Sequence, residues 1–152
     1  MAPNSAKIAE AWSTLRFQET LLLGQWIFGM STRPNAHELG DTSEEAVSWW
    51  LKSQGYAILQ RNLRSREGEV DIVVYKDSTL VFVEVKARKS GGVETLEHSI
   101  HARKRERILR CAERFIAEHL CWRETMVRFD VVFHGSDGFH HFPGAFTESG
   151  LT

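Results

Sequence analysis

The stretch GEVDIVVYKDSTLVFVEVKAR, residues 68–88, decides the fold. Two runs rich in β-branched residues, EVDIVVY (69–75) and TLVFVEVKAR (79–88), flank the polar Lys76-Asp77-Ser78, the pattern of two strands joined by a tight turn. With Asp77-Ser78 as a two-residue turn, Tyr75 lies opposite Leu80, Val73 opposite Phe82 and Asp71 opposite Glu84. A four-residue loop from Lys76 to Thr79 keeps the same register. Because strand side chains alternate, Asp71, Glu84 and Lys86 share one face with Val73, Tyr75 and Phe82. The opposite face, Ile72, Val74, Val81, Val83 and Val85, is wholly apolar.

Two carboxylates directly opposed, with Cβ atoms roughly 5 Å apart, repel by roughly 3 kcal/mol at an effective dielectric near 20. Lys86 offsets part of that. A hard divalent cation offsets it better, and carboxylate oxygens at this separation suit Mg²⁺ or Mn²⁺, with the backbone carbonyl of Val85 as a further ligand. A metal held by two acids beside a lysine is a candidate centre for phosphodiester hydrolysis. The bland alternative is a solvated sheet face decorated with cross-strand acid–lysine pairs. Against it, Val73, Tyr75 and Phe82 mark the charged face as covered, and charges at the end of a covered face are the ones that function tends to retain.

Outward from the hairpin, YAILQRNL (56–63) reads as a strand and RSREG (64–68) as a turn. Asp41, Thr42 or Ser43 can cap a helix that buries Ala46, Val47, Trp50 and Leu51 and stops at Gly55. KSGGVET (89–95) reads as a flexible loop. Residues 99–120 form a long helix with Ile100, Ile108, Leu109, Ala112, Phe115, Ile116 and Leu120 on one face. MVRFDVVFH (126–134) and FHHFPGAF (139–146) are further strands. The order α-β-β-β-α-β, with a last short strand, implies an α/β fold with a mixed sheet flanked by helices. Residues 1–39 stand apart as a helical extension and linker. Ile8, Trp12, Leu15, Leu22 and Trp26 form one stripe, which either covers the core or serves as an arm for a homodimer or partner protein.

The 152 residues suit one domain with its own core. A formal charge of −1 conceals an uneven spread, since residues 61–110 hold twelve Lys/Arg against eight Asp/Glu. Cys111 and Cys121 are too far apart along a helix to bridge, so reduced thiols and a cytoplasmic location are expected. No apolar run reaches the length of a membrane span. The seven histidines lack cysteine pairs at ligand spacing, so zinc is not expected. P-loop, nucleophile-elbow and dinucleotide fingerprints are absent.

From Gly40 onward the chain resembles the YraN-like family of bacterial proteins, within the PD-(D/E)xK nuclease superfamily. The matching pieces are GDTSEEA (40–46), GYAILQRNLR (55–64), GEVDIVVY (68–75), LVFVEVKAR (80–88), RK (103–104), RFDVV (128–132) and AF (145–146), in the family's order. The resemblance implies that residues 40–152 are a restriction-endonuclease-like domain similar to Holliday-junction resolvases. It also implies that Asp71, Glu84 and Lys86 are its catalytic trio. Glu44 would be an extra acid from the first helix, able to hold a second metal or the water of the first. Placed in a first helical turn, Glu44 has a plainer reading as an acid favoured by the helix dipole, which Glu45 could supply as easily. The chain departs from the pattern in residues 1–39 and in ETLEHSIHARK (94–104), which lacks a proline before the basic pair.

A phosphate backbone calls for cations near such a site. Arg61, Arg64, Arg66, Arg88, Arg103, Lys104 and Arg107 are the candidates, with Lys104 close to the inward line of its helix. The plainer reading is a solvated helix face with pairs such as Glu106–Arg110. Asp130 is expected to pair with Arg128 or another base in a structural role. The leading expectation is a metal-dependent endonuclease acting on DNA, branched or otherwise structured DNA included. The alternative is a non-catalytic nucleic-acid-binding or scaffold module that keeps the fold.

Overall fold

The computed structural model describes residues 36–88, 100–148 and 150–151. The amphipathic stripe of residues 1–35 and the loop 89–95 lie outside the described residues. Helix α1 (Ala36–Ser53) is followed by β1 (Ala57–Arg64), β2 (Glu69–Lys76), β3 (Thr79–Ala87), helix α2 (Ala102–Glu118), a 3₁₀ turn (Leu120–Trp122), β4 (Met126–Gly135), β5 (Gly138–Thr147) and the two-residue β6 (Gly150–Leu151). The strands form one sheet in sequence order. β3 and β4 run parallel and all other neighbours antiparallel. A parallel pair cannot be closed by a hairpin, and the connection between β3 and β4 contains α2.

The hairpin has the expected register, with Tyr75 against Leu80 and Val73 against Phe82. Asp77 (φ 48°) and Ser78 (φ 60°) are both left-handed, as a two-residue turn that matches strand twist requires. Its two faces build two cores. On one, Val73, Tyr75, Leu80 and Phe82 pack against Ile108, Cys111, Ala112 and Phe115 of α2. On the other, Ile72, Val74, Val81 and Val83 meet Val47 and Leu51 of α1. Each such side chain contributes about 1.5–3 kcal/mol on burial. Burial on both sides therefore outweighs a local charge repulsion of a few kcal/mol at one end of the strands. The result is a restriction-endonuclease-like α/β core.

Several boundaries differ from the sequence expectation. α1 begins at Ala36, inside the stretch read as linker, because Ala36, Glu38 and Leu39 are good helix formers and a single glycine at position 40 is tolerated. Ser43 therefore caps nothing; it is buried, with its hydroxyl 3.3 Å from Nδ1 of His134. α2 starts later than expected, at Ala102, where the ring Nδ1 of His101 accepts the N–H of Lys104. It also ends earlier, so Leu120 falls in the 3₁₀ turn and is 62% exposed, not part of the buried face. Both cysteines are free. Among the described residues no helix is long and apolar enough to cross a membrane.

Candidate active site

Asp71 lies one residue beyond the terminal pair of the β2–β3 ladder, Ile72 with Val83. On its other side, Arg61 pairs with Ile72 and Leu63 with Val70, which sets Asn62 across from Asp71. Asn62 is left-handed (φ 51°), a conformation asparagine tolerates better than most residues. The Asp71 side chain turns into the gap, and its Oδ2 accepts the backbone N–H of Val85 at 2.7 Å. In an extended strand the N–H and C=O of one residue face the same neighbour. The Val85 carbonyl therefore lies on the Asp71 side of β3.

Glu84 is 3% exposed, on a central strand between β2 and β4. Its Oε1 receives two ammonium groups, Lys86 Nζ at 3.0 Å and Lys104 Nζ at 3.3 Å. Its Oε2 is buried and has no hydrogen-bond partner. A buried carboxylate oxygen left dry is costly, on the order of several kcal/mol without compensation. Lys104 also lies 3.6 Å from Oε1 of Glu69. It is thus brought into the acid cluster, not held on the outer basic face of α2.

The electrostatics carry the same imbalance. Burial, then the charge of Glu84, then that of Glu44, push the Asp71 carboxyl up to about 7, against the pull of the Val85 N–H and Lys104. Burial draws Lys104 down, but Glu84 and Asp71 hold it above its ordinary value. Three acids therefore act on one small volume that two lysines only partly neutralise. Glu44 is half-buried and lies eight residues in from Ala36. That position removes the helix-dipole account of Glu44, because the dipole acts within the first turn.

Those features fit a hard divalent cation: an orphaned buried oxygen on Glu84, a carboxylate on Asp71 that is reluctant to ionise, and a carbonyl aimed to the same side. Among the described residues no three His, Cys, Asp or Glu side chains form a ready-made cage. Magnesium seldom uses one; it binds through one or two carboxylates and keeps several waters.

The other cations separate into two groups. Arg61, Arg64, Arg66, Arg103 and Arg107 are exposed. Arg107 also packs over the β1–β2 turn, where its Nε donates to the Glu67 carbonyl at 3.4 Å. Arg88 is engaged elsewhere, in an ion pair with Asp137 at 2.9 Å beside His140. Glu69, the second partner of Lys104, drew no attention in the sequence; its place two residues before Asp71 on the same face was the available signal.

Asp130 is structural. Arg128 grips both of its oxygens at 2.8 Å, His141 Nε2 lies 2.8 Å from Oδ2, and the Gly144 N–H donates to Oδ1. It sits at a register shift between β4 and β5 and replaces the ladder bond lost there. Arg128 reaches on to the Tyr56 hydroxyl at 3.1 Å, tying the start of β1 to β4.

The family model described as Uncharacterised protein family UPF0102 matches residues 43–133. A UPF0102 protein of Azorhizobium caulinodans is 39% identical over 116 residues, which cover 76% of this chain and 87% of that relative. One from Caldicellulosiruptor bescii is 41% identical over 104 residues, covering 68% and 87%. One from Treponema pallidum is 36% identical over 117 residues, covering 72% and 93%.

Proposed function

The chain belongs to the uncharacterised protein family UPF0102, and from that premise we propose that it is a metal-dependent endonuclease acting on DNA, branched or structured DNA included. The observation that carries this reading is the unsatisfied, buried Oε2 of Glu84 beside an Asp71 carboxyl raised to about 7. Asp71, Glu84 and the Val85 carbonyl would hold Mg²⁺ or Mn²⁺, with Glu44 as a further acid. The bound ion would supply Lewis-acid charge stabilisation and a water of lowered pKa.

The chain's own groups divide the remaining work. Lys86 is fixed on the acid face by Glu84 and is 28% exposed, so its ammonium can orient a water and meet the charge that grows on a phosphate. The water oxygen forms a new bond to phosphorus and gives up a proton to solvent as the bond to the departing sugar oxygen breaks, and that oxygen takes up a proton from solvent in turn. Arg61, Arg64, Arg66, Arg103 and Arg107 supply exposed cations for the backbone.

A second reading has its own support. With two lysines on Oε1, Glu84 already sits in an ion-pair network that holds without metal, as a nucleic-acid-binding or scaffold module would require. Cleavage of labelled single-stranded, duplex, flapped and four-way-junction DNA in Mn²⁺ and Mg²⁺ separates the two. Metal-dependent cutting lost in Asp71→Asn and Glu84→Gln supports the nuclease. DNA binding without any cutting would overturn it in favour of the module.

A further inference from the structure

We propose that Lys104 is a tethered cation that competes with the divalent metal for Glu84, holding the site charge-balanced until the metal displaces it. This rests on the metal-site reading above and adds the residue that sets metal affinity. Two ammonium groups, from β3 and from α2, share the single oxygen Oε1 of Glu84, at 3.0 and 3.3 Å. They repel each other, so the arrangement persists only while the surrounding acids lack another cation.

The two lysines are not equivalent. Lys86 has Glu84 as its only ion-pair partner among the described residues. Lys104 has a second anchor in Glu69, 3.6 Å away on a side chain 53% exposed. Its long stem thus has a buried and an exposed resting place within reach. When a dication arrives on Glu84, Lys104 has a second carboxylate within reach at the exposed Glu69. Lys86 stays beside the reacting groups.

The test is Mn²⁺ titration of the full chain by calorimetry at low ionic strength, on wild type, Lys104→Met, Lys104→Gln and Lys104→Arg. Removal of a competing charge is expected to tighten Mn²⁺ binding about tenfold in both neutral variants, while the arginine variant stays within about threefold of wild type. The rise in melting temperature on adding Mn²⁺ should grow in the same order, which also verifies that each variant is folded. Unchanged or weaker Mn²⁺ binding in the neutral variants would overturn the proposal and make Lys104 a simple prop for Glu84. Failure of wild type and all variants to bind Mn²⁺ would overturn the metal site itself, and the proposal with it.

Discussion

Val85 donates its backbone N–H to Oδ2 of Asp71 at 2.7 Å, so a side chain of β2 takes the place of a ladder carbonyl for β3. An asparagine at position 71 keeps an acceptor for that N–H and removes the charge that burial and Glu84 oppose. Asp71→Asn is therefore expected to stabilise the metal-free protein, by on the order of 1–3 kcal/mol at pH 8, while abolishing metal-dependent cutting. Asp71→Ala loses the acceptor and should not show the gain. Thermal melts of the three proteins in chelator check this, and a lower melting point for Asp71→Asn would refute it.

The pH dependence has a definite sign. The folded-state pKa of Asp71, about 7, lies above its ordinary value of 3.8. The folded state therefore binds the proton more tightly, and this stabilising contribution is full below pH 3.8 and is lost as pH rises through 7. In chelator the wild-type melting point should fall relative to Asp71→Asn between pH 5 and pH 8. Mn²⁺ affinity should rise over the same interval, since the proton must leave before the ion binds. Scanning calorimetry across that range measures the first, titration the second.

Asp130 titrates the other way. Burial penalises its charge, but hydrogen bonds from His141, Arg128 and Gly144 outweigh that and hold its carboxyl below the usual value. It stabilises the fold above its unfolded pKa, and the contribution is lost as pH falls through its depressed one. Asp130→Ala removes the acceptor that Arg128, His141 and the Gly144 N–H share, so a loss of about 3 kcal/mol is expected in denaturant melts. Mn²⁺ affinity of the folded fraction should be unchanged.

Gly68 is buried where the β1–β2 turn meets α2. A Cβ there would lie 2.9 Å from both the Cβ and the carbonyl oxygen of Arg107, and the backbone atom cannot swing aside. Gly68→Ala should lower stability by about 1–3 kcal/mol. Because Lys104 is on the same helix, it should also alter Mn²⁺ affinity. A variant as stable as wild type would show that α2 slides freely over the turn.

The hairpin register, the two-faced core and the convergence of Asp71, Glu84 and Lys86 were legible because period-two alternation and turn chemistry are local rules. The helix start was not, since an internal Gly40 resembles a stop when nothing beyond it is known. The shared hold of Lys86 and Lys104 on Glu84 was only half legible. Spacing puts Lys104 near the inward line of α2, but where α2 crosses the sheet depends on packing far away in sequence, including Arg107 on Gly68. The pairing of Asp130 with Arg128 was legible from their spacing on one strand, but its links to His141 and Gly144 and the reach of Arg128 to Tyr56, 72 positions away, were hidden for the same reason.

The parallel pairing of β3 with β4 sets an order of assembly. Asp71 and Glu84 are brought together by a two-residue turn, which closes in microseconds. Thr79 meets Met126, 47 positions away, only after the crossover closes, a slower event for a non-local contact. During the interval the acid pair has Lys86 and no second lysine, because Lys104 arrives with α2. Refolding of the apo chain should therefore accelerate as pH falls from 8 to 5, and Asp71→Asn should remove much of that dependence in stopped-flow traces. Selection for a charged centre on a local hairpin thus bears on how fast the chain folds as well as on what it does once folded.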